Sequence, residues 1–353
     1  MNNLSNPVST FDPCGIEVSA QTLRVALARQ GRATVRREFP NTRQGHQALL
    51  RFLARSGRPV RVAMESTGLY GLDLALCLHQ ARVAVMVANP RAVRHFATAL
   101  MQRSKTDLLD AEVLRQFAAR MPFVAWRPPS PAAFQLVAVA RRLEALTEMR
   151  AAEKSRRHAA SLSEALPAII RRDVERSIQT HEHAIQRLTR AAQEFVLSDP
   201  ALAQRFELLL SIPGIATTSA LHLLAELALL PEDLDVRQWV AYAGLDPRLY
   251  TSGTSVHKKV RISKAGNKHL RRALYMPALV AIVHEPHLRA FYDHLLRRGK
   301  TKLQALVATM RKLLHAIFGM FKHQQPFDGA KVYARREEPV PAPAPEPQEV
   351  ACA

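Results

Sequence analysis

Cysteine is scarce. The 353 residues hold three, Cys14, Cys77 and Cys352, scattered and without CxxC spacing. That excludes a disulfide framework and a cysteine-based zinc site, and it fits a reducing cytosol. Aromatic residues make up only 6% of the chain. No apolar run reaches the roughly 18–20 residues that a membrane span needs, so no membrane partner is expected. Met1 to Thr10 is polar and uncharged, and no secretory signal is expected there. Acids are outnumbered, 30 Asp+Glu against 50 Lys+Arg, for a formal net charge of +20. A surplus of that size points to a polyanionic partner, nucleic acid first, although an arginine-rich proteome would also supply it. What is present in quantity is hydrophobic residues, at 48%. They exclude a disordered chain, and the length allows two or three domains.

After a loose tail over residues 1–12, three short β patterns follow closely: Gly15 to Ser19, Thr22 to Ala28 and Thr34 to Phe39. They predict a β-meander. Asn41-Thr42 then caps a helix whose Leu49, Leu50 and Leu53 share a face. Val60, Val62 and Met64 alternate into a strand that ends at Glu65; a helix from about Leu69 to Gln80 and a strand from Val83 to Val87 come next. The order β-β-β-α-β-α-β is α/β and ribonuclease-H-like, spanning residues 13–130. Residues 92–120 predict helix with a break near Ser104-Lys105. Pro122, Pro128, Pro129 and Pro131 mark a linker. Residues 131–200 predict a helical hairpin or short coiled coil divided at Pro167, and residues 201–330 a mainly α unit. The Pro-rich stretch within residues 331–353 predicts a disordered tail.

Four carboxylates stand out. Glu17 lies inside the first strand and Glu65 ends another, while Asp107 and Asp110 sit three apart on a helix and so share a face. Buried, unpaired strand acids are costly, and a divalent cation offsets that cost. Two strand acids and two helix acids make a hard, all-oxygen site suited to Mg²⁺ or Mn²⁺. Each has a plainer reading: Glu17 on a solvent-facing edge, Glu65 as a cap for the next helix, Asp107 as a helix N-cap. Asp12 lies nearby, outside the expected strand.

Farther on, Ser211-Ile212-Pro213-Gly214-Ile215 between two apolar segments has the form of a helix-hairpin-helix. Its turn, at Pro213 and Gly214, would offer backbone N–H groups to phosphate; an ordinary helical turn is the alternative. From Arg248 to Arg272 there are eight Lys/Arg (Arg248, Lys258, Lys259, Arg261, Lys264, Lys268, Arg271 and Arg272) and no acid. Interleaved Ser, Gly and Tyr suit a phosphate-backbone surface. Ser252 precedes Gly253, where its hydroxyl could approach a phosphate, with Arg248, Lys258 or Arg261 to stabilise developing charge; a plain turn serine is the alternative.

With these residues in view, the chain resembles the DEDD-type transposases of insertion sequences, the RNA-guided bridge recombinases. The resemblance is collinear over roughly residues 13–330. It runs through Gly15-Ile16-Glu17-Val18-Ser19, Glu65-Ser66-Thr67-Gly68 and Lys105-Thr106-Asp107-Leu108-Leu109-Asp110-Ala111. It continues through the Pro213-Gly214 turn, Ala243-Gly244-Leu245-Asp246-Pro247-Arg248, Tyr250-Thr251-Ser252-Gly253 and Leu270-Arg271-Arg272. It implies a resolvase-like ribonuclease H domain, a coiled-coil insertion and a C-terminal transposase domain. It implies that Glu17, Glu65, Asp107 and Asp110 bind Mg²⁺ and that Ser252 attacks DNA and becomes covalently linked to it. It also implies a homo-oligomer, dimer or tetramer, with acids from one protomer and serine from another, and a structured guide RNA encoded by the element. Glu17 departs from the family pattern, which has Asp there; the carboxylate is kept, one methylene farther out.

The resulting expectation is a cytoplasmic, nucleoid-associated bacterial DNA recombinase that moves its own element. The alternatives are a metal-dependent nuclease or junction resolvase using water, and a non-catalytic nucleic-acid-binding protein descended from a transposase.

Overall fold

The computed structural model describes residues 10–30, 32–65, 70–101, 107–162, 166–257 and 260–334, apart from the side chains of Asp107, Leu108 and His257. The chain folds as two units, Met1–Pro128 and Pro129–Ala353.

The first unit runs β1 (Asp12–Val18), β2 (Thr22–Leu27), β3 (Val35–Pro40), α1 (Arg43–Ala54), β4 (Val60–Glu65), α2 (Leu72–Gln80), β5 (Ala84–Ala88), α3 (Pro90–Ala99) and α4 (Asp107–Arg120). The five strands form one mixed sheet in the order β3-β2-β1-β4-β5, consistent with a ribonuclease-H-like domain. β1–β2 and β2–β3 are antiparallel, while β1–β4 and β4–β5 are parallel. The parallel pairs need crossovers, which α1 and α2 supply. Thr42 caps α1, accepting from the Gly45 N–H.

Alternation along the strands sends side chains to two faces. Cys14, Ile16, Val18, Val62 and Met64 pack with Leu49, Phe52, Leu74 and Leu78 of α1 and α2. On the opposite face Ala63, Met86 and Ala88 pack with Val93 of α3 and Val113, Leu114 and Phe117 of α4. Small residues there admit α4 closely. A methyl built on Gly15 would lie 2.8 Å from the Leu114 carbonyl carbon, and nearer still to Ala111 O and Arg115 N. Glycine is therefore required at that crossing, not for a special dihedral but for room.

Strand and helix ends shift by a residue or so at several places, and two differences from the sequence reading bear on the site. β1 starts at Asp12 rather than Gly15, so Asp12 belongs to the strand. It is 1% exposed, accepts a hydrogen bond from Ser56 and faces Arg58 at 3.6 Å, at the opposite end of β1 from Glu17. Its partners explain why an acid is tolerated there. The helix expected from Leu69 begins at Leu72, and residues 66–69 lie outside the described residues.

The second unit contains α5 (Pro131–Ser161), α6 (Ala168–Ser198), α7 (Pro200–Leu210), α8 (Thr217–Leu227) and α9 (Val236–Ala243). Four two-residue strands follow: β6 (Pro247–Arg248), β7 (Thr251–Ser252), β8 (Val256–His257) and β9 (Arg261–Ile262). Then come α10 (Lys268–His284), α11 (Pro286–Arg297), α12 (Lys302–His323) and α13 (Gly329–Val332). Pro167, expected to divide two long helices, is the N-cap of α6; Pro131, read from the sequence as linker, and Pro200 instead sit in first turns. α5 and α6 pair along their length, and Leu136, Ala140, Ala192 and Val196 at one end join the core formed by α7–α10 and α12.

Candidate active site and nucleic-acid interface

The sheet register brings the two strand acids together. Gly15 lies beside Ala63 and Ile16 beside Met64 in the parallel β1–β4 pair. One step on, Glu17 and Glu65 are neighbours at the carboxyl ends of the two strands. By alternation both lie on the face of Gly15 and Ala63, the face α4 covers. The direction of α4 is set by two contacts. Its middle, Ala111 to Arg115, crosses Gly15, while Phe123, just beyond its end, takes the Arg61 guanidinium at 5.2 Å near the start of β4. α4 therefore runs against β1 and β4, and its Asp107–Asp110 end lies toward Glu17 and Glu65. Asp110 precedes the buried Leu114 by one turn and is itself half-buried. Asp107 is the first residue of α4, with its side chain outside the described residues.

The acids do not stand alone. Arg24 is directly opposite Glu17 in the antiparallel β1–β2 pair, and Glu38 is opposite Arg24 across β2–β3. The Arg24 guanidinium is 4.0 Å from Glu17 and 3.3 Å from Glu38. One row of the sheet thus reads Glu65, Glu17, Arg24, Glu38 from β4 to β3. Cross-strand pairs of opposite charge stabilise a sheet. Among the described residues no group of three or more His, Cys, Asp or Glu side chains is gathered for a metal ion. The donor chemistry of Glu17, Glu65 and Asp110, hard oxygens at one end of one layer, still fits a divalent cation.

In the second unit the basic residues separate into two kinds. Arg271 donates to Ala243 O at 2.8 Å, and Arg272 pairs with Glu144 and Glu148 of α5. These two hold the fold. Arg248, Arg261, Lys264 and Lys268 are exposed and make no ion pair among the described residues. Arg248 and Arg261 are moreover directly opposite each other in the β6–β9 ladder. Like charges so placed repel, and an anion between them would relieve this. Lys258 and Lys259 lie outside the described residues.

Ser252 is at the tip side of the β7–β8 hairpin, paired with Val256 and exposed. Gly253 follows with φ +54°, a left-handed turn position that glycine occupies without strain. In the chain the β7–β8 hairpin lies between β6 and β9, so Ser252 follows Arg248 by four residues and precedes Arg261 by nine. By contrast, the Ser263 hydroxyl is committed, donating to Asp246 Oδ1 at 2.6 Å and accepting from the Ala265 N–H.

The Pro213–Gly214 turn joins α7 and α8. Gly214 has φ +96°, and a methyl there would meet Ala281 N and the Val280 side chain at 3.0 Å. The turn is therefore seated on α10, which gives Gly214 a packing role whatever else the turn does.

A buried polar cluster was not legible in the sequence. Glu226 of α8, 3% exposed, pairs with Arg141 of α5 at 2.9 Å and accepts from Asn267, the N-cap of α10, at 2.5 Å. Asn267 also bonds Tyr242 of α9. Burial raises the Glu226 carboxyl, and Arg141 and Asn267 oppose that. The cluster ties α5, α8, α9 and the start of α10 into one frame beneath the basic segment. Its members are far apart in sequence, so no local pattern announces it.

Known proteins resemble this chain over most of its length. A family model described as a transposase matches residues 14–167. A second, described as the transposase IS116/IS110/IS902 family, matches residues 206–293. The pilin gene-inverting protein of Moraxella bovis is 30% identical over 294 residues, 82% of this chain and 89% of that protein. The transposase for insertion sequence element IS1328 of Yersinia enterocolitica is 29% identical over 293 residues, 75% of this chain and 82% of that protein. Together with the mixed sheet and its acids, these place the molecule in the transposase class of DNA recombinases. Within that class, the chain belongs to the DEDD-type IS116/IS110/IS902 family of insertion-sequence transposases. DEDD transposase domains typically depend on a divalent metal, and DNA is the implied partner. No helix among the described residues is long and apolar enough to cross a membrane.

Proposed function

We propose that this transposase cuts and rejoins DNA through Ser252, with Glu17, Glu65, Asp107 and Asp110 holding Mg²⁺ or Mn²⁺, and with a structured RNA selecting the DNA sites. The observation that carries the reading is the hairpin of Ser252, set in the chain between Arg248 and Arg261. An exposed hydroxyl on a hairpin flanked by a ladder with two opposed arginines suits attack on a phosphodiester. In that step the Ser252 hydroxyl gives up its proton and its oxygen bonds to phosphorus. The bond from phosphorus to one strand oxygen breaks, and that oxygen leaves as a hydroxyl. The phosphoserine ester conserves the bond, so a strand hydroxyl can reverse the step and join a new partner. Arg248 and Arg261 bind the non-bridging oxygens and stabilise the charge that develops on them. A divalent cation held by the acids would supply charge neutralisation at the attacked phosphate. Glu17 and Glu65 orient the site from the rigid strand ends, and Arg24 holds Glu17 in place.

RNA guidance is supported by the +20 charge together with the lack of a recognisable base-reading motif, since phosphate contacts position but do not specify. An oligomer of two or four copies would let acids of one protomer and Ser252 of another meet on one DNA. The test is Ser252→Ala. Denaturing gels should show a DNA-linked protein for the parent and none for the variant, with RNA binding retained. Metal-dependent cleavage without an adduct in the parent would select a nuclease that uses water. Binding without any cleavage would select the non-catalytic reading.

A further inference from the structure

A groove of about 810 Å³ is walled by the β6–β9 ladder, α10 and α12. Its lining is of two kinds. Six cations line it: Arg271 and Arg272 are held by Ala243 O and by the acids of α5, while Arg261, Lys264, Lys268 and Arg311 make no ion pair among the described residues. Between them the surface is apolar. Tyr275 and Met276 of α10, Val260 before β9 and Leu303 of α12 are 41%, 56%, 49% and 63% exposed. No acid lines it. Lys264 is held at φ +51°, a left-handed conformation rare for a side-chain-bearing residue, with its N–H bonded to Gly244 O. Strain of that kind is kept where the surroundings over-determine it.

The pattern selects its occupant. Duplex DNA turns phosphates outward and hides its bases, so it would use the cations and leave the apolar floor in water. A second copy of this chain carries +20 as well and would be repelled by an acid-free basic rim. An unpaired strand offers phosphates and base faces together, which is what alternating cations and aromatic or apolar side chains bind. The groove shares the β6–β9 ladder with the root of the Ser252 hairpin. The strand nearest to hand is therefore the DNA strand bearing the attacked phosphate.

We infer that this groove binds unpaired DNA nucleotides next to the phosphodiester that Ser252 attacks, phosphates on Arg261, Lys264, Lys268 and Arg311 and bases on Tyr275 and Met276. The inference rests on the recombinase reading and adds to it a preference for melted DNA at the cut site. Arg261, Lys264 and Lys268 belong to the acid-free basic segment that is legible in the sequence. The floor is not legible along the chain, because Tyr275 and Met276 of α10 meet Leu303 and Arg311 of α12 only in the folded molecule.

The experiment compares the full-length protein's affinity for a short single-stranded DNA, the same strand with abasic sites, an RNA strand of equal length, and a duplex. The base-bearing DNA strand should bind at least about fivefold more tightly than the abasic one, since one stacked base contributes that much. Tyr275→Ala combined with Met276→Ser should bring that ratio near one and leave abasic and duplex binding unchanged. Both residues are exposed, so the fold should survive, and far-ultraviolet circular dichroism checks it. Photocrosslinking from 5-iododeoxyuridine in the strand should map to the α10 segment around Tyr275. A ratio near one in the parent, a ratio unmoved by the double variant, or a double variant that loses affinity for the RNA strand rather than for the DNA strand would each overturn the inference. So would conversion of an oligomer to monomers by the double variant without loss of strand binding, which would make the face an interface between copies. If the groove fails while the serine–DNA adduct still forms, only this inference falls; if no nucleic acid binds in a salt-sensitive way, the recombinase reading falls with it.

Discussion

Gly15→Ala puts the position of α4 to a direct test. The added methyl would lie 2.8 Å from the Leu114 carbonyl carbon, with Ala111 O and Arg115 N closer. Ordinary carbon–carbon contact is about 3.5–4.0 Å, so α4 must retreat by about 1 Å. Neither side can yield cheaply, because β1 is bonded to β2 and β4 and the opposing atoms are helix backbone. A gap of that width forfeits about a quarter to a half of the dispersion well for facing atoms. Val113, Leu114 and Phe117 are each buried on that side, and burial of such a side chain contributes about 1.5–3 kcal/mol. Losing a quarter of three gives about 1–2 kcal/mol, and backbone strain brings the expected cost to about 3 kcal/mol, the upper end for overpacking. The assay is urea unfolding followed by circular dichroism, with Gly319→Ala as control. Gly319 lies inside α12 with nothing within 4 Å of an added methyl. Alanine there should stabilise by about 0.5–1 kcal/mol through helix propensity alone. DNA cleavage should fall further than stability does in Gly15→Ala, because α4 carries Asp107 and Asp110. A Gly15→Ala protein within about 0.5 kcal/mol of the parent would refute the close crossing and the acid placement built on it.

Arg24→Ala removes the cation between Glu17 and Glu38; the apo protein should lose about 0.2–1 kcal/mol, the usual range for a partly exposed pair. Mg²⁺ should then raise Tm more in the variant than in the parent, and an equal Mg²⁺ response would show that Arg24 and the cation do not share Glu17. Stability should also depend on pH through the histidines. Burial holds His222 below its ordinary pKa, against the opposing pull of Glu144, and burial likewise lowers His46 and His315. A depressed folded-state pKa means stability is present above about pH 6.5 and lost as pH falls through the folded value, by at most about 1.4 kcal/mol per pH unit per group. His222→Asn should flatten that acid limb in a Tm-against-pH series; an unchanged limb would mean that His222 is not resisting protonation.

Much of the first unit was legible along the chain. Alternating Val60, Val62 and Met64, the Thr42 cap and the closely spaced β patterns are local signals, and strands and helices obey local rules of period and capping. The second unit's long helices and the Pro167 break were legible for the same reason, and so was the acid-free basic segment, a matter of composition. The DEDD-type family was legible too, because its blocks are contiguous. Side-chain partnership was not. Glu17 and Glu65 become neighbours through the β1–β4 register, and Arg24 reaches Glu17 through β1–β2. Arg271 and Arg272 read as phosphate ligands, yet they are occupied by Ala243 O and by acids of α5. Arg141 meets Glu226 across 85 positions. The physical reason is common to all four cases. Period, capping and composition act within a turn or a strand, whereas pairing depends on which faces meet, and that is settled only when distant elements bury their apolar sides against one another.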